Sequence, residues 1–274
     1  MKIVKILGGL GNQMFQYALY LALKERFPTE TVKIDLSCFN GYPLHNGFEL
    51  DKIFHLNYEK ASFRDLLKLA YPYSHYRLWQ IGKYILPIRR TMCVEKSDFS
   101  MDETVLAYTG DRYFDGYWQH EEYFKYAKDK IIHAFTFPEL SDERNRYVLS
   151  CVKSINSVSI HVRRGDYLNN PVFDNICNMD YYKKSIYFLQ QNANPDLYCI
   201  FSNDIGWCRL NMESILPKDK IIYVNWNKGK NSYMDMQLMA NCKHNVIANS
   251  SFSWWGAWLN VNPDKIVLAP KKWM

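Results

Sequence analysis

The sequence predicts an α/β protein made of two Rossmann-like domains facing a cleft. Three observations carry this prediction. The chain opens on an apolar strand, a glycine turn and a helix. From Val158 onward, short apolar strands alternate with helical segments, the pattern of a parallel sheet covered on both faces. A length of 274 residues, with such a unit at each end, suits two domains, placed at 1–150 and 151–274 with the linker between Pro138 and Val158.

Each element has its own justification. Lys2 to Leu7 is apolar and β-branched, Gly8-Gly9-Leu10-Gly11 is the turn, and Asn12 is placed to cap a helix running to about Arg26. Met14, Ala18, Leu21 and Ala22 give that helix one apolar stripe. Thr31 to Leu36 reads as a second strand. Between Ser37 and Phe137 helical and aromatic patches occur without a clear period or repeat. Strands follow at Val158–Val162, Leu197–Phe201, Ile221–Val224, Val246–Ala248 and Ile266–Leu268. Helices fall at Tyr181–Gln191, Ile205–Met212, Ser232–Asn241 and Ser253–Leu259.

Composition narrows the function. Hydrophobic residues make up 48% and charged residues 23%, the balance of a folded chain. A net charge of +6 suits an anionic ligand and is too mild for nucleic-acid binding. Much of it lies in Lys60, Arg64, Lys68, Arg77, Lys83, Arg89 and Arg90, interleaved with Leu, Ile, Tyr and Trp. That stretch reads either as a solvated helix face or as a surface touching anionic lipid. Seven scattered cysteines without a CxxC pair indicate free thiols in a reducing compartment. With neither a signal peptide nor a membrane-spanning apolar run, the expected location is cytoplasmic.

Ligands of such sheets bind beyond the carboxyl ends of the strands, which singles out four turns. In Gly9-Leu10-Gly11-Asn12-Gln13 the glycines let the backbone approach a phosphate or sugar at a helix N-terminus. The rival reading, a dinucleotide fingerprint with Asp35 at the second strand's end, fails at Met14, where a third glycine belongs. The second turn is His161-Val162-Arg163-Arg164-Gly165-Asp166-Tyr167. Paired guanidiniums at a buried strand's end call for an anion, and a diphosphate matches their fork. One arginine is expected on the ligand and one on the scaffold, through an Arg164–Asp166 pair; His161 contacts a base, orients Arg163 or is structural. In Phe201-Ser202-Asn203-Asp204 the acid either accepts from the guanine edge or serves an ordinary turn. In Asn249 to Gly256, serine hydroxyls and helix-start N–H groups make a second phosphate cradle, while Trp254 and Trp255 lock the helix to its sheet. With no Asp-x-Asp motif and no His/Cys cluster of zinc spacing, no metal is expected.

Taken together, GGLGNQMFQYA (8–18), GYWQHEEYF (116–124), HVRRGDY (161–167), FSND (201–204) and SSFSWWGAWL (250–259) resemble the bacterial α-1,2-fucosyltransferases of glycosyltransferase family 11. The matches run in order along nearly the whole chain. The resemblance implies a GT-B fold and metal-independent, inverting transfer of L-fucose from GDP-β-L-fucose to the 2-hydroxyl of a β-galactoside oligosaccharide. GDP-fucose is then the donor substrate, with no separate cofactor. Arg163 is implied as the β-phosphate ligand, His161 and Asp204 as guanine or ribose contacts, and Ser253 and Ser251 as phosphate contacts. Asn12 is implied as a residue reaching the fucose–phosphate region. Gly11, Gln13, Arg164 and Asn203 complete the expected donor side. The acceptor base is expected to be Asp166 or, from the stretch Asp115 to Glu122, His120. Family members are expected to extend beyond Trp273-Met274, so a C-terminal helix crossing back onto the first domain is expected to be short or missing. The other readings are a fucosyltransferase of different linkage or acceptor, a non-catalytic nucleotide or sugar binder, and a nicotinamide enzyme.

Overall fold

The computed structural model describes residues 1–96, 100–165 and 176–273. The chain divides into two compact units, Met1–Pro138 and Glu139–Met274. The first unit runs β1 (Lys2–Lys5), α1 (Leu10–Arg26), β2 (Val32–Asp35), α2 (Leu50–Ile53), α3 (Phe63–Leu69), α4 (Tyr76–Ile85), β3 (Met92–Val94), α5 (Thr104–Ala107), β4 (Arg112–Asp115) and α6 (Lys128–Ala134). Its sheet is parallel throughout, in the order β2-β1-β4-β3.

Strand β1 is central and buried at every residue, including two lysines. Buried ammonium groups persist only when paired. Lys2 reaches Glu30 at 2.7 Å, and Lys5 pairs with Asp115 beneath the Trp79 ring, 3.7 Å from its centroid. Helix α1 is buried nearly all round, and Lys24 and Arg26 in its last turn complement the dipole. Its N-cap is Gly9, with no side-chain cap; the expected cap, Asn12, instead stands in the first turn.

The second unit runs α7 (Glu143–Ser154), β5 (Ser157–Val162), α8 (Met179–Asn192), β6 (Leu197–Ser202), α9 (Ile205–Met212), β7 (Ile221–Val224), α10 (Tyr233–Asn241), β8 (His244–Val246), α11 (Ser251–Trp258) and β9 (Val267–Leu268). The sheet order is β7-β6-β5-β8-β9, all parallel. Alternation along β6 shows why helices cover both faces. Tyr198 and Ile200 join Tyr182, Ile186 and Met212 of α8 and α9. Leu197, Cys199 and Phe201 join Val148 and Val152 of α7 and Leu238 of α10. Position 150, the sequence-based division, falls inside α7. That helix packs wholly into the second unit's core, so the chain divides ahead of it, after Pro138. The seven cysteines are all free thiols.

Candidate active site

A parallel sheet opens a crevice where neighbouring strands send their connections to opposite sides. In the second unit β5 leads through α8 to β6 and β7 on one side, while β8 and β9 lie on the other. The switch therefore falls between β5 and β8. From it emerge Arg163, Arg164 and Gly165 after β5, and Asn249 to Ser253, where α11 starts. The rings of His161 and Phe252 lie 6.1 Å apart, which makes the two turns neighbours. His161 is itself buried, with its backbone carbonyl accepting from the Tyr182 hydroxyl at 3.0 Å.

The two arginines follow directly on β5. Arg163 is half-buried at the rim. Arg164 turns to the scaffold: its Nε donates to Asp204 Oδ2 at 3.3 Å, and its guanidinium lies 4.2 Å from the Trp207 ring centroid. Asp166 lies outside the described residues; among those described, Arg164 pairs with Asp204. The other Asp204 oxygen caps α9 by accepting from the Trp207 N–H at 3.0 Å. Asp204 thus has a structural task at each oxygen. Asn203 holds the arginine turn in place, since its Oδ1 accepts from the N–H groups of Arg164 at 3.0 Å and Gly165 at 3.3 Å. A Cβ on Gly165 would fall 2.5 Å from the Asn203 amide nitrogen, so any side chain there would push the Asn203 amide aside.

Across the switch, α11 begins at Ser251, and its N-cap residue Ser250 makes no side-chain cap among the described residues. Ser251 is half-buried. Ser253 is 1% exposed and donates to the Ser250 carbonyl at 3.3 Å, so its hydroxyl serves the helix start. Of the two serines expected at a phosphate, Ser253 is thus engaged by its own helix start.

The first unit has its own switch, between β1 and β4. Here Gly8 takes φ +100°, and a Cβ on it would meet Asn12 at 3.1 Å and Tyr117 at 3.3 Å. Asn12 Oδ1 accepts from Gln119 Nε2 at 2.9 Å. Gln13, expected on the donor, is fully buried: its two amide protons go to the carbonyls of Gly8 and Gly47, and its oxygen accepts from the Glu49 N–H. Glu49, absent from the sequence-based site, places its buried carboxylate against the Leu10 N–H. An acid of the chain thus already matches the positive end of α1, and His45 covers Gly9. Gly11 is buried in the same turn. Glu95 accepts from the N–H groups of Tyr117 at 2.6 Å and Trp118 at 2.8 Å, and so holds the turn in which Trp118 takes φ +58°. Burial raises the Glu95 carboxyl above the usual carboxylate range despite those donors. Of the acceptor candidates, Asp115 is engaged by Lys5 and Trp79. Half-buried His120 accepts from the Glu122 N–H at 3.3 Å through Nδ1. Among the described residues no three His, Cys, Asp or Glu side chains gather as a metal site.

A further acid, half-buried by exposure but poorly hydrated at its carboxyl, also escaped the sequence reading. Asp235, in the first turn of α10, accepts from Asn227 at 2.7 Å, and burial pushes its carboxyl up to about 7. The folded chain therefore holds this proton more tightly than the unfolded chain, whose value is near 3.8. The stabilisation is complete below about pH 4 and is lost as pH rises towards 7, a decline on the order of 4 kcal/mol. Asp235→Asn should flatten it, as read from urea midpoints across that range. An unchanged slope would assign the decline to other groups.

Comparison with known proteins agrees with this architecture. The glycosyl transferase family 11 profile matches residues 1–274. The chain is 34% identical to an alpha-1,2-colitosyltransferase of Escherichia coli, over 99% of this chain and 91% of that protein. It is 24% identical to galactoside alpha-(1,2)-fucosyltransferase 1 of Saimiri sciureus, over 54% of this chain and 42% of that protein. Among solved structures it resembles NodZ alpha-1,6-fucosyltransferase co-crystallised with GDP, with a TM-score of 0.53 and 14% identity, covering 93% of this chain and 90% of that one. The GT-B-type α/β fold expected from the sequence is therefore the one found. With two parallel sheets, an arginine turn at a switch point and a family match from end to end, the chain belongs to glycosyl transferase family 11 and is a glycosyltransferase.

Proposed function

We propose that this glycosyltransferase moves L-fucose from GDP-β-L-fucose to the 2-hydroxyl of a terminal β-galactoside, with inversion. The observation that carries the reading is the β5/β8 switch, where Arg163 and the uncapped start of α11 converge. Both supply positive charge where a diphosphate leaves. As the C1–O bond to the β-phosphate breaks, its electron pair passes to GDP and C1 gains oxocarbenium character. The galactose 2-hydroxyl then bonds to C1 from the opposite face, giving the α-linkage, and its proton passes to a weak base or to the departing phosphate. Arg163 contributes most late in the reaction, because the phosphate charge is complete only there. On this reading Arg164, Asn203 and Asp204 hold Arg163 in position.

A second donor has specific support. The colitosyltransferase is 34% identical over 99% of this chain, and colitose is the 3-deoxy counterpart of L-fucose. Incubation of the protein with lactose and either GDP-fucose or GDP-colitose, in EDTA, separates the readings. We expect GDP release and an α-1,2-fucosylated trisaccharide with the first donor. Product from GDP-colitose alone would replace fucose by colitose. Hydrolysis or binding without trisaccharide would remove the galactoside.

A further inference from the structure

We propose that α3, α4 and the segment following α4 form a face that docks on an anionic lipid bilayer. Helix α4 turns Tyr76, Trp79 and Gly82 inward: Trp79 stacks on Tyr76 at 5.6 Å and covers Lys5, and buried Gly82 lies so close to Tyr73 that a Cβ would fall 2.2 Å from its hydroxyl. Its outward face is also apolar. Leu78, Ile81 and Ile85 recur at i, i+3 and i+7 as one stripe, 52%, 58% and 71% exposed, and Tyr84 beside them is 81% exposed. Helix α3 repeats the arrangement, burying Leu66 and Leu69 while Phe63 and Leu67 face solvent. The segment after α4 is tied back to α3 and the turn that follows it. Arg89 Nη1 donates to the Leu67 carbonyl at 2.8 Å, and the Tyr71 hydroxyl donates to the Pro87 carbonyl at 2.8 Å, next to exposed Ile88. A surface helix normally hides its apolar stripe, so a second one turned outward marks a contact surface.

The charge around the stripe selects the occupant. Exposed Arg64, Arg77, Lys83 and Arg90 flank these apolar groups. The only acid between positions 60 and 90 is Asp65, already engaged by Lys33 at 3.0 Å and by the start of its own helix. A second copy of this chain would bring the same positive field and be repelled. An apolar stripe with a basic rim is the pattern of a helix lying in the interface of an anionic membrane. No helix among the described residues is long and apolar enough to cross a membrane, so the contact is with its surface.

The test uses the full chain and vesicles of phosphatidylglycerol mixed with phosphatidylcholine, against phosphatidylcholine alone. We expect co-sedimentation with the anionic vesicles, reversed by added salt, and at least about tenfold weaker binding to the neutral ones. Ile81→Glu with Ile85→Glu should abolish binding. Arg77→Glu with Lys83→Glu should weaken it by about fivefold or more per residue, with turnover of a soluble galactoside unchanged. The charge pair lies on the surface and decides the matter if the apolar pair misfolds. Equal binding to both vesicle types, wild-type binding by either folded variant, or a dimer that Ile81→Glu dissociates in place of vesicle binding would overturn the proposal.

Discussion

Arg163→Ala is expected to lower kcat/KM about a hundred- to a thousandfold, or roughly 3–4 kcal/mol of transition-state stabilisation. Circular dichroism and the melting point of the variant show how much of the loss belongs to folding, and the expected figure is what remains at a temperature where the variant is folded. The size follows from what the guanidinium does on the proposed pathway: it meets a phosphate charge that is complete only as the sugar departs, so its loss falls on kcat more than on KM. Arg163→Lys should recover part of the activity, because the charge returns without the fork that matches two oxygens. Arg164 supplies the internal contrast. Its contacts are with Asp204 and the Trp207 ring, and both partners of that ion pair are partly exposed. Arg164→Ala is therefore expected to cost on the order of 1 kcal/mol in stability and to affect turnover only through the position of its neighbour. If Arg163→Ala kept near-normal turnover while Arg164→Ala abolished it, the roles assigned to the two residues would be exchanged.

The second unit was legible in the sequence because its strands are short, largely apolar runs separated by helices, with the central β5 and β6 buried almost throughout. Ile205–Met212 and Ile221–Val224 were placed to the residue. The first unit was legible only as far as β2. Strands β3 and β4 are three and four residues long, and β4 carries charge at both ends, Arg112 and Asp115. Such a strand has no apolar period to detect. Its charges are tolerated because each is engaged, Asp115 by Lys5 and Arg112 through the Arg90 carbonyl.

The site shows a similar division. Strand ends and their motifs pointed to turns that the structure also places after β1, β5 and β6 and at the start of α11, since the rule concerns topology and those strands were in place. What the side chains do within those turns depends on partners distant in sequence. Gln13 belongs to the scaffold because of Gly47 and Glu49, and Asp204 serves Arg164 from a different strand. Glu49 and Glu95 carried no local signal, and each is recognisable only by the backbone N–H groups it meets. Asp235 was overlooked because an acid in a helix's first turn is ordinary; only its burial sets it apart.

Asp115→Ala is expected to destabilise the first unit by about 3 kcal/mol, at the lower end of what removal of one partner from a buried ion pair costs. Lys5 is 2% exposed within the central strand, and Asp115 is the acid against its ammonium group. The lower end applies because the Trp79 ring, 3.7 Å away, keeps part of the stabilisation and because the Asp115 side chain is 18% exposed. The loss should appear as a lower urea midpoint and a melting point reduced by about 10 °C. Replacing both partners, Lys5→Met with Asp115→Leu, removes the stranded charge and should recover most of the stability. In a double-mutant cycle the pair would then lose less stability than the sum of the two single losses. This pattern separates the two roles open to Asp115. A residue that only holds β1 to β4 changes stability, and its activity loss is rescued by the second substitution. A residue that touches the acceptor changes activity, and Lys5→Met does not restore it. An unchanged urea midpoint for Asp115→Ala would leave the ion pair without weight in the fold and return Asp115 to the acceptor side.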